Sequence, residues 1–220
     1  MAESAKTEIM MLVIPKLGGP ALDGECLLQI QTNPQDDLMT EFVAAPTPED
    51  YSNFFELTGF SLGMKLEPND ATGGGGFRNW YQFKKGDPPQ TPFPRKFDKG
   101  SFDRVIDAAS PVFFHSCCNK KKDDQTPSFD KAIIIKRALQ GDAFTGGTGI
   151  GAAYIRIELT GVDITSISWD DGDVVKEKCD FTATGITVTY RAQHDSGAVD
   201  QTLGDQTAHW DITMETATKK

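Results

Sequence analysis

The chain has 220 residues, enough for one large all-β domain or two small ones. Acidic residues outnumber basic ones 32 to 22, a formal charge of −10, which argues against nucleic acid, whose phosphates attract Lys and Arg clusters. No apolar run approaches ~20 residues, so no membrane insertion is expected, and four cysteines, two of them adjacent at Cys117 and Cys118, do not make a disulfide framework.

The first element is an apolar run, Ile9–Ile14, closed by Pro15. It is too short for a usual signal segment and lacks a basic lead, so it reads as a strand of a protein made in the cytoplasm. Gly18-Gly19-Pro20 is a turn, and Cys26–Gln31 alternates Leu28 and Ile30 with Gln29 and Gln31, as a second strand does. Residues 32–53 are polar and carry Pro34, Pro46 and Pro48; with the end of the preceding strand they form a surface insertion near 27–53. Phe54–Leu66 is the next strand, its period of two broken beside Gly59, which predicts a bulge or bend. Residues 68–94 form a Gly- and Pro-rich extended loop with Gly73, Gly74, Gly75 and Gly76 in a row, followed by Phe77, Arg78, Asn79, Trp80, Tyr81 and Phe83. Its aromatics either meet a protein partner or fold back onto the core.

Arg95–Val105 is a further strand, leading to the one good helix candidate. There Ser110 is placed as the cap and Pro111 as the first helical residue, for a helix Pro111–Asn119. Ser128–Leu139 is a strand whose run Ile133-Ile134-Ile135 suggests burial on both faces. A glycine-rich loop, Gly141–Gly151, precedes Ala152–Thr160, where Tyr154, Arg156 and Glu158 oppose Ile155, Ile157 and Leu159. Gly161 is expected to break this strand. Val162–Trp169 then alternates again, with Val162 and Ile164 opposite Ile167 and Trp169, and Asp170-Asp171-Gly172-Asp173 is a hairpin turn. Val174–Asp180 runs into Phe181–Arg191, where Ile186, Val188 and Tyr190 oppose Thr187, Thr189 and Arg191. A short last strand, Ala208–Met214, precedes a tail, Thr216–Lys220, expected to fray. Many strands and one short helix predict a mainly β chain, a barrel or a sandwich.

Few residue groups carry chemistry. His115, Cys117 and Cys118 lie close together, but a zinc site takes about four ligands in spaced pairs, and neither His194 nor His209 completes one. Gly147, Gly149 and Gly151 mimic a dinucleotide fingerprint, yet a strand follows them where a helix must open. Asp170–Asp173 resembles a calcium loop only in charge, lacking the distal Glu. No Ser, His and Asp order stands out, so no catalytic residue, metal or cofactor is expected.

The order of the features is more specific than any one of them. Gly24-Glu25 after the first strand, the strand Phe54–Met64 and the glycine run beyond it resemble the opening of the Hcp family, tube proteins of the bacterial type VI secretion system. Phe97–Ile106 and Ser110-Pro111-Val112-Phe113-Phe114-His115-Ser116-Cys117 resemble that family's entry into its helix. Tyr154–Leu159, Val162–Ser168, Glu177, Phe181, Ile186–Tyr190 and Trp210 resemble its C-terminal strands. The resemblance implies a β-barrel-like domain of two antiparallel sheets with one short flanking α-helix. It also implies a non-enzymatic subunit that closes into hexameric rings, which stack into a tube. Partners would then be other copies of the chain, the sheath and spike components and an effector cargo, with export through the apparatus itself. Gly73–Trp80 matches the family's extended loop and is the candidate ring-stacking contact. The rival readings are a soluble β-sandwich binding module or enzyme, with Trp80, Tyr81 and Phe83 lining its site, and a tube subunit of another contractile injection system.

Overall fold

The computed structural model of the chain describes residues 7–16, 18–26, 28, 36–43, 52–66, 95–97, 99–119, 127–138, 152–193, 202–211 and 216–219. In chain order these hold strands β1 (Thr7–Ile14), β2 (Phe55–Leu57), β3 (Gly59–Ser61), β4 (Met64–Leu66), β5 (Arg95–Phe97) and β6 (Gly100–Val105), then a helix α1 (Ser110–Asn119). After the helix come β7 (Phe129–Ala138), β8 (Ala153–Asp170), β9 (Lys176–Arg191), β10 (Asp205–Asp211) and β11 (Thr216–Lys219). Among the described residues no helix is long and apolar enough to cross a membrane.

Nine strands make one antiparallel sheet, and β4 with β5 makes a second. The large sheet curls into a nearly closed circuit: β9 pairs with β8, β8 with β7, β7 with β1 and β1 with β2. On its other edge β9 pairs with β6, and β6 with β3. Only Thr58 separates β2 from β3, and its N–H donates to the Asp103 carbonyl at 2.8 Å. The irregularity expected beside Gly59 is therefore the point where one extended segment changes partners, from β1 to β6. Closure leaves few unpaired edges, the usual hazard of a sheet protein. On the edge that meets β6, the last half of β9, still paired with β8 on the other, pairs with β10, and β10 with β11. The tail expected to fray is thus a paired strand, Thr216 lying opposite Asp211 and Lys219 opposite Ala208.

The curl needs the two long strands to change face. Ile157 and Leu159 belong to the interior cluster, and so do Val162 and Ile164, although strict alternation puts these pairs on opposite sides. Gly161 makes the switch at φ 58°, a left-handed conformation that side chains resist. A Cβ at this position would stand 2.3 Å from Thr184 Oγ1, and one at Gly185 would stand 2.4 Å from Thr160 Oγ1. The two glycines thus let β8 and β9 bend together while Leu159 stays opposite Ile186 and Val162 opposite Ala183. Gly161 was expected to end a strand; instead it bends one that runs unbroken for 18 residues. A second irregularity falls between Ile164 and Ser166, where the register with β9 shifts. That bulge turns Ile167 inward, so it joins Val162 and Ile164 against the same core, not the opposite face.

The sheet is covered on both sides where β1 and β7 run. Met11, Val13, Ala132 and Ile134 face the barrel interior with Phe55, Phe102, Phe113, Phe129 and Phe181. Met10, Leu12, Ile133 and Ile135 face outward, under Leu38, Met39, Phe42 and Phe54. Two-sided burial is why both strands read as continuous apolar runs. The stretch 36–43, expected on the surface, contributes a 3-10 turn (Asp37–Met39) and three buried apolar side chains to this outer cluster. Burying such side chains stabilises the fold by roughly 1.5–3 kcal/mol each. Cys26 and Leu28 pack against the same cluster without entering a strand, and Gly24 bridges Ser52; the rest of the expected strand Cys26–Gln31, apart from these two, lies outside the described residues.

Replacing Gly161 by Ala places a Cβ against Thr184 and imposes left-handed strain, a loss of about 2–4 kcal/mol. Urea unfolding of the variant is expected to show a lower midpoint with an unchanged slope.

Candidate functional site

The side chains that fix the end of the barrel meet on one buried cation. Alternation along β6 turns Phe102 and Arg104 inward together, and Arg104 is fully buried. Its guanidinium lies over the rings of Phe55 and Phe113, 4.8 and 4.9 Å from their centroids. A charge in such a place must be paired on every side. Arg104 Nε donates to Glu177 Oε1 at 2.7 Å, Nη2 donates to Ser110 Oγ at 2.6 Å, and Nη1 lies 2.8 Å from Asp107 Oδ1. The second Glu177 oxygen accepts from Trp169 Nε1 at 2.8 Å.

The same groups start the helix. Asp107 Oδ1 accepts the Ala109 N–H at 2.8 Å, and Ser110 Oγ accepts the Asp107 N–H at 3.1 Å. These two bonds close the turn that enters the helix. Ser110, expected as the cap, is the first residue of α1 itself. The inner face of α1 sends Phe113 into the core, edge-on to Phe55 and Phe129. Its outer face leaves Val112 and Phe114 exposed, and Phe114 stacks on Trp169 with centroids 5.4 Å apart.

A second polar system clamps segment 36–43 onto the outer face. Arg156 grips both Glu41 oxygens, at 2.8 and 2.6 Å, and donates to the Leu38 carbonyl at 2.6 Å and to Glu158 at 2.8 Å. Arg191 holds both oxygens of Asp205 at 2.9 Å and also reaches Asp36 and Asp37. Burial would raise the Glu41 carboxyl, but Arg156 outweighs it and holds the group down at about 2. Arg191 likewise lowers Asp205, whereas burial pushes Asp36 up. Burial pushes the Cys26 thiol up to about 12, and that of Cys179 higher still, so neither is a ready nucleophile.

No family model matches the chain, and no curated protein matches it in sequence. Solved structures do match it. A type six secretion system protein aligns with a TM-score of 0.61 over 97% of this chain and 100% of its own, at 13% identity. Hcp1 from Salmonella typhimurium aligns at 0.55 over 96% and 99%, with 16% identity, and Hcp2 from the same organism at 0.52 over 95% and 98%, with 14% identity. The chain has the Hcp fold.

Within this fold two residues that carried the resemblance, Ser110 and Glu177, meet on Arg104, and Asp107 joins them there. Sequence reasoning missed Arg104; the available signal was its place two residues after Phe102 on an alternating strand. The candidate stacking residues Gly73, Gly74, Gly75, Gly76, Phe77, Arg78, Asn79 and Trp80 lie outside the described residues, as do Gly147, Gly149, Gly151 and His194. His115 is exposed on α1 beside Asn119, 2.5 Å away, Cys117 leans on the core, and Cys118 is exposed. Among the described residues no three His, Cys, Asp or Glu side chains gather as metal ligands do. Asp170 is the last residue of β8, and Asp171–Asp173 lie in the exposed turn between β8 and β9.

Arg104→Met strands Glu177 as an unpaired buried charge, with an expected loss of about 3–5 kcal/mol. Adding Glu177→Gln to the same chain is expected to recover part of that loss, both read from urea midpoints. The Arg156 clamp sets a pH dependence. Above the ordinary carboxylate value of 4.5 Glu41 is ionised whether folded or not, and the clamp is fully present. As pH falls toward about 2 the unfolded chain binds a proton before the folded one does, and that stabilisation is lost. Glu41→Gln should therefore be less stable at pH 7, by about 1 kcal/mol since Glu41 is partly exposed, and the gap should close near pH 2.

Proposed function

We propose that the chain is a structural tube subunit of a type VI secretion system. Six copies close into a ring, rings stack into a tube, and the lumen carries or delivers effectors. No catalysis is involved. The supporting observation is the whole-length likeness in fold to a type six secretion system protein, with 97% of this chain and 100% of the other aligned. A resemblance in motif order, noted from the sequence alone, leads to the same proteins.

The two contacts of such an assembly differ in kind. A ring closes on itself, whereas stacking joins unlike faces and continues without limit. In this reading Gly73–Trp80 makes the stacking contact, with sheath and spike components and the effector as further partners. In this reading the subunit leaves the cytoplasm through the apparatus.

Light scattering after gel filtration, with electron microscopy of the same fraction, tests the reading. A mass near six chains and a ring with a central hole are expected. A monomer that persists at high concentration overturns it, because mass action forces any real interface to form. Deleting Gly73–Trp80 is expected to leave rings of normal mass and melting temperature that no longer stack; an unfolded deletion variant would place that loop in the core.

A further inference from the structure

Residues 36–43 cover the outer face of the sheet without belonging to it. Leu38, Met39 and Phe42 lie buried in one cluster with Met10, Leu12, Ile133 and Ile135, and the Phe42 ring leans on Phe54 with centroids 5.5 Å apart. The other side of the segment meets water: the Asp37 side chain is 71% exposed and Val43 is 61% exposed. The cover is thus a single layer of chain.

Among the described residues no backbone-to-backbone hydrogen bond joins this segment to a strand. Beneath it β1 pairs with β7, β7 with β8 and β8 with β9 through ladders of their own. The ties between cover and sheet run through side chains. Arg156 holds Glu41 and the Leu38 carbonyl, Arg191 holds Asp36 and Asp37, and the Asp36 carboxylate accepts the Ala153 N–H at 3.0 Å. Glu41 and Asp37 are open to solvent, where an ion pair is worth little. The firm attachment is at the base. The Gly24 N–H donates to the Ser52 carbonyl at 2.7 Å, the Cys26 N–H donates to Ser52 Oγ at 3.1 Å, and Ser52 is buried. Next to it Asn53 accepts the Val43 N–H at 2.6 Å and donates to the Glu41 carbonyl at 2.7 Å.

We propose that residues 36–43 are a strap that lifts off the outer face as one unit while the barrel stays folded, held at its base by Gly24 and Ser52. Lifting gives up three apolar side chains and a set of half-exposed ion pairs, whereas unfolding the sheet below gives up every ladder and both cores, so the strap opens first. The face it uncovers is apolar, with Arg156 and Arg191 at its border, each still held by an acid of the strands or their edge, Glu158 and Asp205. Access to Met10, Leu12, Ile133 and Ile135 is therefore gated by the strap. The device belongs to the single chain and does not depend on the tube reading.

The test is native-state hydrogen exchange of the full-length protein, read amide by amide by mass spectrometry. The reporters are the N–H groups of Met39, Phe42, Val43 and Ala153, the last lying on β8 but bonded to Asp36. These four are expected to exchange with one common protection and a shallow dependence on urea, while Ile133–Ile135 and Ile157–Leu159 hold until global unfolding, with a steep one. Glu41→Gln should speed all four roughly fivefold. Gly161→Ala, which strains the barrel and not the strap, should speed the strand amides on the order of thirtyfold and leave the four unchanged. The strap is overturned if the four share the protection and urea slope of the strand amides, if Ala153 does not follow the other three, if Glu41→Gln leaves them unchanged, or if Gly161→Ala speeds them as much as the strands. Should Gly161→Ala not fold, the urea slopes of the wild-type chain decide alone.

Discussion

Burial of the Arg104 charge is the constraint on which the end of this barrel depends. A guanidinium between two phenyl rings is stable only if acidic and polar groups surround it, and its neighbours come from four places in the chain. Glu177 comes from β9, Asp107 and Ser110 from the helix entry, and the rings from β2 and α1. The turn into the helix, the closing β6–β9 pair and the anchoring of Trp169 through Glu177 are therefore one arrangement. None of these can shift without leaving a charge unpaired in an apolar setting.

The opposite design holds on the outer face. There Arg156 and Arg191 sit at the border of an apolar cluster and draw in a short acidic segment. The apolar side chains Leu38, Met39 and Phe42 supply the burial, and the two arginines fix where it occurs. The acidic surplus of the chain is thus partly structural: Asp36, Asp37, Glu41, Glu158 and Asp205 all serve these two cations.

Much of the fold was legible in the sequence because period two survives wherever one face is buried. Ile155, Ile157 and Leu159 point inward and Arg156 and Glu158 outward, as their alternation says. The Ile133–Ile135 run announced two-sided burial, and Ser-Pro marked the helix to within a residue. What was not legible depends on distant partners or on a backbone angle. A glycine in a strand pattern looks the same whether it ends the strand or bends it, and only the φ of Gly161 distinguishes them. Phe42 lies in a polar, Pro-bearing stretch whose burial is decided by Arg156, more than a hundred residues later. Arg104 gave no local sign of being a hub, since three of its partners only meet once the barrel closes.

The pairing of β1 with β7 also sets the order of events in folding. The β8–β9 hairpin joins neighbours in sequence, but Ile14 lies opposite Lys131. Contacts of such long separation form slowly. During synthesis the first strand, among the most apolar stretches of the chain, must wait for its partner to be made, on the order of ten seconds at ordinary elongation rates. For that interval the first strand has only the three residues of β2 to pair with, and its edge toward β7 stays open. The nascent chain therefore needs shelter at its start, at the ribosome, long before it needs any partner at its surface.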